Sequence, residues 1–244
     1  MLAHRIIPTL LCSGTLLVKG QQFNAWRSVG AVVQAMRIHQ ARGVDEVLLM
    51  DVTASREQRG PSLELVSRLA EGAFFPLTVG GGVRSIEDAR QLLRHGADKV
   101  AVGSRPDLIE ALADTFGRQA VTAVLDVLEG EVWDHVTRRK GGDPVRRARE
   151  LAEAGELVVQ SVERDGTMTG YDIDLIRAIA EAVEIPVVAS GGCGSYEDMH
   201  EALSAGADAV AAGAMFQFRD LTPRGAAHYL ADRGWEVRDE RRTG

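Results

Sequence analysis

The sequence predicts an α/β fold, a (β/α)8 (TIM) barrel built from two half-barrel repeats, on three observations. Short aliphatic runs recur eight times, each followed by a stretch of helical period. One segment of the chain is repeated further on. A length of 244 residues allots about 30 to each strand-plus-helix unit.

Strands of a parallel sheet are buried on both faces and read as near-continuous apolar runs. Such runs occupy residues 5–11, 46–52, 76–79, 99–102, 120–126, 157–162, 186–189 and 209–212. Helical spacing of apolar residues follows at 31–41, 62–71, 86–94, 144–154, 173–182, 196–204 and 223–231. Residues 12–27 form a long glycine-bearing loop between the first strand and its helix. No Pro-, Gly- or Ser-rich linker divides the chain, so residues 1–244 are expected to form one domain.

The repeat pairs Phe75 to Ser104 with Ile185 to Ala214 at a constant offset of 110, with 13 of 30 positions identical. Average composition would give roughly two. The same offset pairs Glu46 with Glu156, each opening a strand. A half-barrel copied once should place equivalent equipment on opposite sides of one mouth.

Composition bounds the partners. A formal charge of −7 and a pI near 5.4 offer no global attraction for nucleic acid or an anionic membrane, so an anionic ligand must be held by local geometry. No apolar run reaches the roughly 18 residues of a membrane helix, and the amino end lacks the layout of a signal peptide. A cytoplasmic location is expected. Cys12 and Cys193 lack the spacing of a disulfide framework or metal site, and no metal or cofactor is expected.

In each copy of the repeat a strand ends in Gly-Gly, at Gly81 and Gly82 and at Gly191 and Gly192. The next strand ends at Gly103-Ser104 or Gly213-Ala214. Backbone without Cβ lets amides converge on an anion, and a helix start beyond adds its dipole. Two phosphate cradles follow, which a bisphosphate would span; tight strand-to-helix turns are the plainer use of the same glycines. Asp165 and Gly166, after the sixth strand, are placed to close the second cradle, or form a solvated turn.

Acid–base chemistry at a barrel mouth needs groups at the carboxyl ends of strands, where Asp51 and Asp126 stand. Asp126 follows Ala123-Val124-Leu125, so its carboxylate is expected against desolvated surface; a structural hydrogen-bond acceptor is the alternative. The first strand ends apolar, at Leu11. None of the six histidines sits at a strand's carboxyl end, so a histidine triad or metal site is not expected. Lys19, in the long loop, is a candidate mobile cation over a phosphate. At the opposite end, Arg5, Glu46, Lys99 and Glu156 open strands, and two-residue alternation points them with the core residues above them. Inward, they form a neutral plug below a bore through Leu48, Ala101, Val124 and Val158; outward, they are an ordinary rim.

With these residues in hand, the chain resembles the HisF family, cyclase subunits of imidazole glycerol phosphate synthase, over essentially its whole length. The matching stretches are MLAHRIIP, VDEVLLMDVTAS, PLTVGGGVRS, GADKV, TFGRQAV, ERDGTMTGYD, IPVVASGG and FRD. The resemblance implies a barrel paired with a glutaminase subunit of the HisH type, which docks on the bottom and releases ammonia through the bore to a bisphosphate at the top. It implies that Arg5, Glu46, Lys99 and Glu156 form the ammonia gate and that Asp126 is catalytic. It also implies that Lys19 is the loop lysine and that Gly82, Ser104, Asp165, Gly166, Gly192 and Gly213 hold phosphate. Leu11 stands where the family has its other catalytic aspartate, Gly103 where it has asparagine and Ala214 where it has serine. Losing one member of an acid–base pair costs about two to four orders of magnitude, so slow cyclisation is expected. A second reading is a HisF-like paralogue that delivers ammonia to a sugar amidotransferase of surface-polysaccharide biosynthesis.

Overall fold

The computed structural model describes residues 3–238; Met1 and Leu2 of the amino-terminal motif, and residues 239–244 of the expected domain, lie outside the described residues. Twelve strands occur among the described residues: β1 (Arg5–Ser13), β2 (Leu16–Gln21), β3 (Asn24–Ala31), β4 (Val47–Asp51), β5 (Leu77–Gly80), β6 (Lys99–Gly103), β7 (Val121–Leu128), β8 (Glu131–Asp134), β9 (Arg139–Lys140), β10 (Glu156–Ser161), β11 (Val187–Ser190) and β12 (Ala209–Ala212). Eight of them pair in parallel in the order β1, β4, β5, β6, β7, β10, β11, β12, and β12 returns to β1 to close the barrel. The eight runs expected from sequence are these eight strands, within two residues at each boundary.

Closure divides the apolar side chains into two layers. Inside lie Ile7, Leu48, Ala101, Val124, Val158 and Val188. Outside, the alternate residues pack against helices, as Leu49 and Val79 do with Leu65 and Leu69.

The half-barrel symmetry reaches hydrogen bonds. Asp98 accepts from Leu77 N at 2.8 Å and Asp208 from Val187 N at 2.9 Å, the same bracket 110 residues apart. Ser85 and Ser195 cap the helices Ile86–Arg94 and Tyr196–Ser204 by accepting from Asp88 N and Asp198 N.

Three local features depart from the sequence reading. The expected loop 12–27 is largely the antiparallel hairpin β2–β3, extending from β1. Its turn residues Gln22 and Phe23 take φ of 52° and 57° without a glycine, so the usual turn signal is missing. A helix at Pro106–Phe116, begun by Pro106 in its first turn, fills the interval after β6. The helix expected over 144–154 ends at Glu150.

Candidate functional site

At the amino-terminal end of the barrel the four charged residues turn inward and close on one another. Arg5 donates to Glu46 Oε2 at 2.6 Å and to Glu156 Oε2 at 2.8 Å. Lys99 Nζ reaches Glu46 Oε1 and Glu156 Oε1, each at 3.0 Å. Each glutamate also accepts a threonine hydroxyl, Thr78 on Glu46 at 2.6 Å and Thr122 on Glu156 at 2.7 Å. Glu46 and Glu156 are 2% and 5% exposed. Two cations and a hydroxyl replace water around each of these deep carboxylates, the surroundings that burying a charge requires. Burial pulls the Arg5 guanidinium down, but Glu156 and Glu46 outweigh it and hold it above its ordinary value. Burial pushes Glu156 up, and Arg5, Lys99 and the Thr122 hydroxyl together keep it below. Two positive and two negative groups therefore form a neutral floor whose bonds are all between side chains.

Above the floor the apolar bore runs through Leu48, Ala101, Val124 and Val158, as expected. It widens at the carboxyl-terminal end into a cavity of about 900 Å³. Every mouth residue singled out from sequence lines that cavity: Asp126, Lys19, Asp51 and Asp165 by their charges, and Gly82, Gly103, Ser104, Gly166, Gly192, Gly213 and Ala214 around them. Gly82 and Gly192 occupy equivalent turns with φ of 72° and 103°, where a Cβ would meet the carbonyl oxygens of Arg59 and Gly170. Only glycine fits either turn. The two turns are tied differently: Gly82 N donates to Ser55 Oγ at 3.1 Å, whereas Gly192 O accepts from Gly170 N at 2.9 Å. At Gly103, by contrast, a Cβ would meet nothing within 4 Å, so its missing side chain leaves open space in the mouth.

Lys19 lies on β2, not in a loop, and is 4% exposed. Its Nζ donates to Thr9 O at 3.2 Å and sits so close to Gly213 that a Cβ there would collide with it. Burial lowers this amine to about 8, with Asp165 opposing the shift. Asp165 is itself raised to about 6 by burial, against the pull of Lys19. Its Oδ2 is buried and has no hydrogen-bond partner among the described residues. The hairpin tip docks beside it, with Gln22 N donating to Asp165 O at 3.0 Å and Gln22 Nε2 to Glu163 O at 2.9 Å.

The two strand-end carboxylates have different surroundings. Asp51 is tied down: Arg59 donates to its Oδ2 at 2.7 Å, and its Oδ1 accepts from Thr53 N and Ala54 N. Asp126 is buried and meets His135, whose Nδ1 lies 3.2 Å from Oδ2. Leu11, on β1, lines the opposite wall, four strands away from Asp126 on β7 in a ring of eight.

Three partners were not visible in the sequence. Arg59 and Arg147 reach the site from outside the barrel strands, Arg147 donating to Ser104 O at 3.1 Å and to Ser104 Oγ at 3.2 Å. His135 arrives from the turn after β8, in a hairpin whose Glu131-Val132-Trp133-Asp134 alternation is the one signal that could have found it. His135, which the sequence places only in the connection after the fifth barrel strand, is brought against Asp126 by this hairpin.

An inward ion-paired floor, an apolar bore and a mouth with duplicated glycine turns suit a small neutral molecule passing upward to an anion. Comparison with known proteins agrees with that architecture. The family described as histidine biosynthesis protein matches residues 5–222. Imidazole glycerol phosphate synthase subunit HisF of Pyrobaculum aerophilum is 43% identical, over 97% of this chain and 98% of its own length. The protein of the same name from Hyphomonas neptunium is 46% identical, over 98% and 99%. That from Thermococcus gammatolerans is 40% identical over the same shares. These relatives carry the synthase name and lend no support to the polysaccharide-paralogue reading. The chain belongs to the histidine biosynthesis protein family and is a HisF-type member of it.

Proposed function

We propose that this chain is the cyclase subunit of an imidazole glycerol phosphate synthase, accepting ammonia from a glutaminase subunit of the HisH type. The observation that carries the reading is the ring of Arg5, Glu46, Lys99 and Glu156 beneath an apolar bore. A structural core has no need of four ionised groups there, because well-packed hydrocarbon is at least as stable. A closable portal does need them. The partner docks on the amino-terminal face and its ammonia, uncharged and therefore tolerated by hydrocarbon, passes the ring when an ion pair opens.

At the mouth a bisphosphorylated substrate lies across both glycine turns, with Ser104, Arg147 and the Gly82 turn at one phosphate and the Gly166, Gly192 and Gly213 backbone at the other. Lys19, cationic below about pH 8, adds charge to the second end. Asp126 exchanges protons with the nitrogen as it adds. The subunit works with its partner in the cytoplasm. Leu11 offers no proton at the opposite wall, which slows the cyclisation relative to a two-aspartate mouth by about two to four orders of magnitude.

The test is turnover without a partner. With ammonium salts, the family's bisphosphorylated nucleotide intermediate should yield imidazole glycerol phosphate slowly, and glutamine plus a HisH-type subunit should replace the ammonium. No product from either nitrogen source would overturn the proposal.

A further inference from the structure

We infer that His135 is the second proton-transfer group of the mouth, a catalytic acid that works beside Asp126 on the same wall. The inference rests on the synthase reading above and adds to it a residue on the hairpin β8–β9, outside the barrel strands.

Four observations converge on it. His135 and Asp126 both line the cavity and touch at 3.2 Å. Asp51 is consumed by Arg59 and two backbone amides, and Asp165 stands with the Lys19 amine, so of the mouth carboxylates Asp126 is the one with an imidazole against it among the described residues. The facing wall is apolar at Leu11. The turn that carries the ring is fixed by Asp134, which accepts from Val136 N at 2.8 Å and Thr137 N at 3.0 Å.

The charged groups acting on the ring come from three directions: Asp126 on β7, Asp134 on β8 and Arg56 on the segment after β4. The hydrogen bond to Asp126 dominates and lifts the imidazole above its ordinary value against burial and Arg56. The carboxylate against the ring therefore favours the ring's protonated form. Its Nδ1–H donates to Asp126, which leaves the Nε2–H for a ligand in the cavity.

The proton count closes for ammonia addition to a carbonyl carbon. The nitrogen lone pair forms the C–N bond while the C=O π pair moves to oxygen. Asp126 takes one proton from the new ammonium centre, and His135 gives its Nε2 proton to the alkoxide. A carboxylate and an imidazolium become a carboxylic acid and an imidazole, with net charge zero before and after. The His135 side chain is 43% exposed, so exchange with solvent resets the pair. Loss of water then repeats the exchange: the imidazolium protonates the departing hydroxyl and Asp126 takes a nitrogen proton as the imine forms.

The experiment uses the full chain with ammonium salts and the bisphosphorylated nucleotide intermediate. His135→Asn keeps a donor toward Asp126 but has no proton to transfer. It should lower kcat about a hundredfold, leave KM within about threefold, and abolish the fall in kcat at alkaline pH that the wild type should show as its imidazolium deprotonates. A wild-type kcat, or an unchanged alkaline limb, in that variant would overturn the inference. His135→Ala, which removes the bond too, should be no faster. A titration of the ring by NMR gives a readout without turnover: His135 should titrate above its ordinary value and return toward it in Asp126→Asn. An inactive wild type with that titration intact would count against the synthase reading alone, whereas an ordinary titration in both proteins would overturn the pairing itself.

Discussion

The two half-barrels share their scaffold and differ in their chemistry. The Asp98 and Asp208 brackets, the Ser85 and Ser195 caps and the Gly82 and Gly192 turns recur 110 residues apart in the same geometry. The side chains that would act on a ligand do not recur. One half carries Leu11 near the end of its first strand and folds a hairpin carrying buried Lys19 over the mouth; the other carries Asp126 near the end of its first strand and folds a hairpin carrying His135. Even the floor is uneven: its glutamates come one from each half, but Arg5 and Lys99 both come from the first. Repeated positions are those that satisfy backbone groups and special φ values, which any copy of the fold must meet. Strand ends and the hairpins beyond them meet no such demand, so their chemistry is free to differ.

Removing one glutamate probes the shared floor. Glu46→Ala leaves Arg5 and Lys99 to Glu156 alone and should destabilise the barrel by about 3 kcal/mol, the lower end for a broken buried pair, since both cations keep some solvent. Glu156→Ala should match it in denaturant unfolding. A loss of stability from only one of the two would show that the halves do not share the load. Leu11→Asp probes the unequal mouth. It supplies the facing carboxylate and should raise ammonium-dependent turnover about tenfold; no gain would mean that the mouth has diverged by more than this residue.

The barrel was legible because parallel strands write themselves as apolar runs, and because a constant offset of 110 ties the halves together. The floor was legible too. Two-residue alternation placed Arg5 with Ile7 and Glu46 with Leu48, and those pairs do face the interior. What escaped were contacts made by chain outside the strands. His135 meets Asp126 through a hairpin, Arg59 folds back on Asp51 over eight residues, and Lys19 is buried on a hairpin whose turn has no glycine at its tip. Periodicity reports which face of an element is covered, and none of these contacts depends on a periodic face.

The ion-paired floor and the bore above it imply that nitrogen travels through the barrel and not through solvent. That route is tested most directly by supplying glutamine labelled with 15N at the amide to the assembled complex, in the presence of excess unlabelled ammonium below the concentration that supports turnover alone. The product's imidazole should retain the label nearly in full; dilution of the label to the isotopic ratio of the bulk ammonium would contradict the conduit and the ion-paired portal at its base.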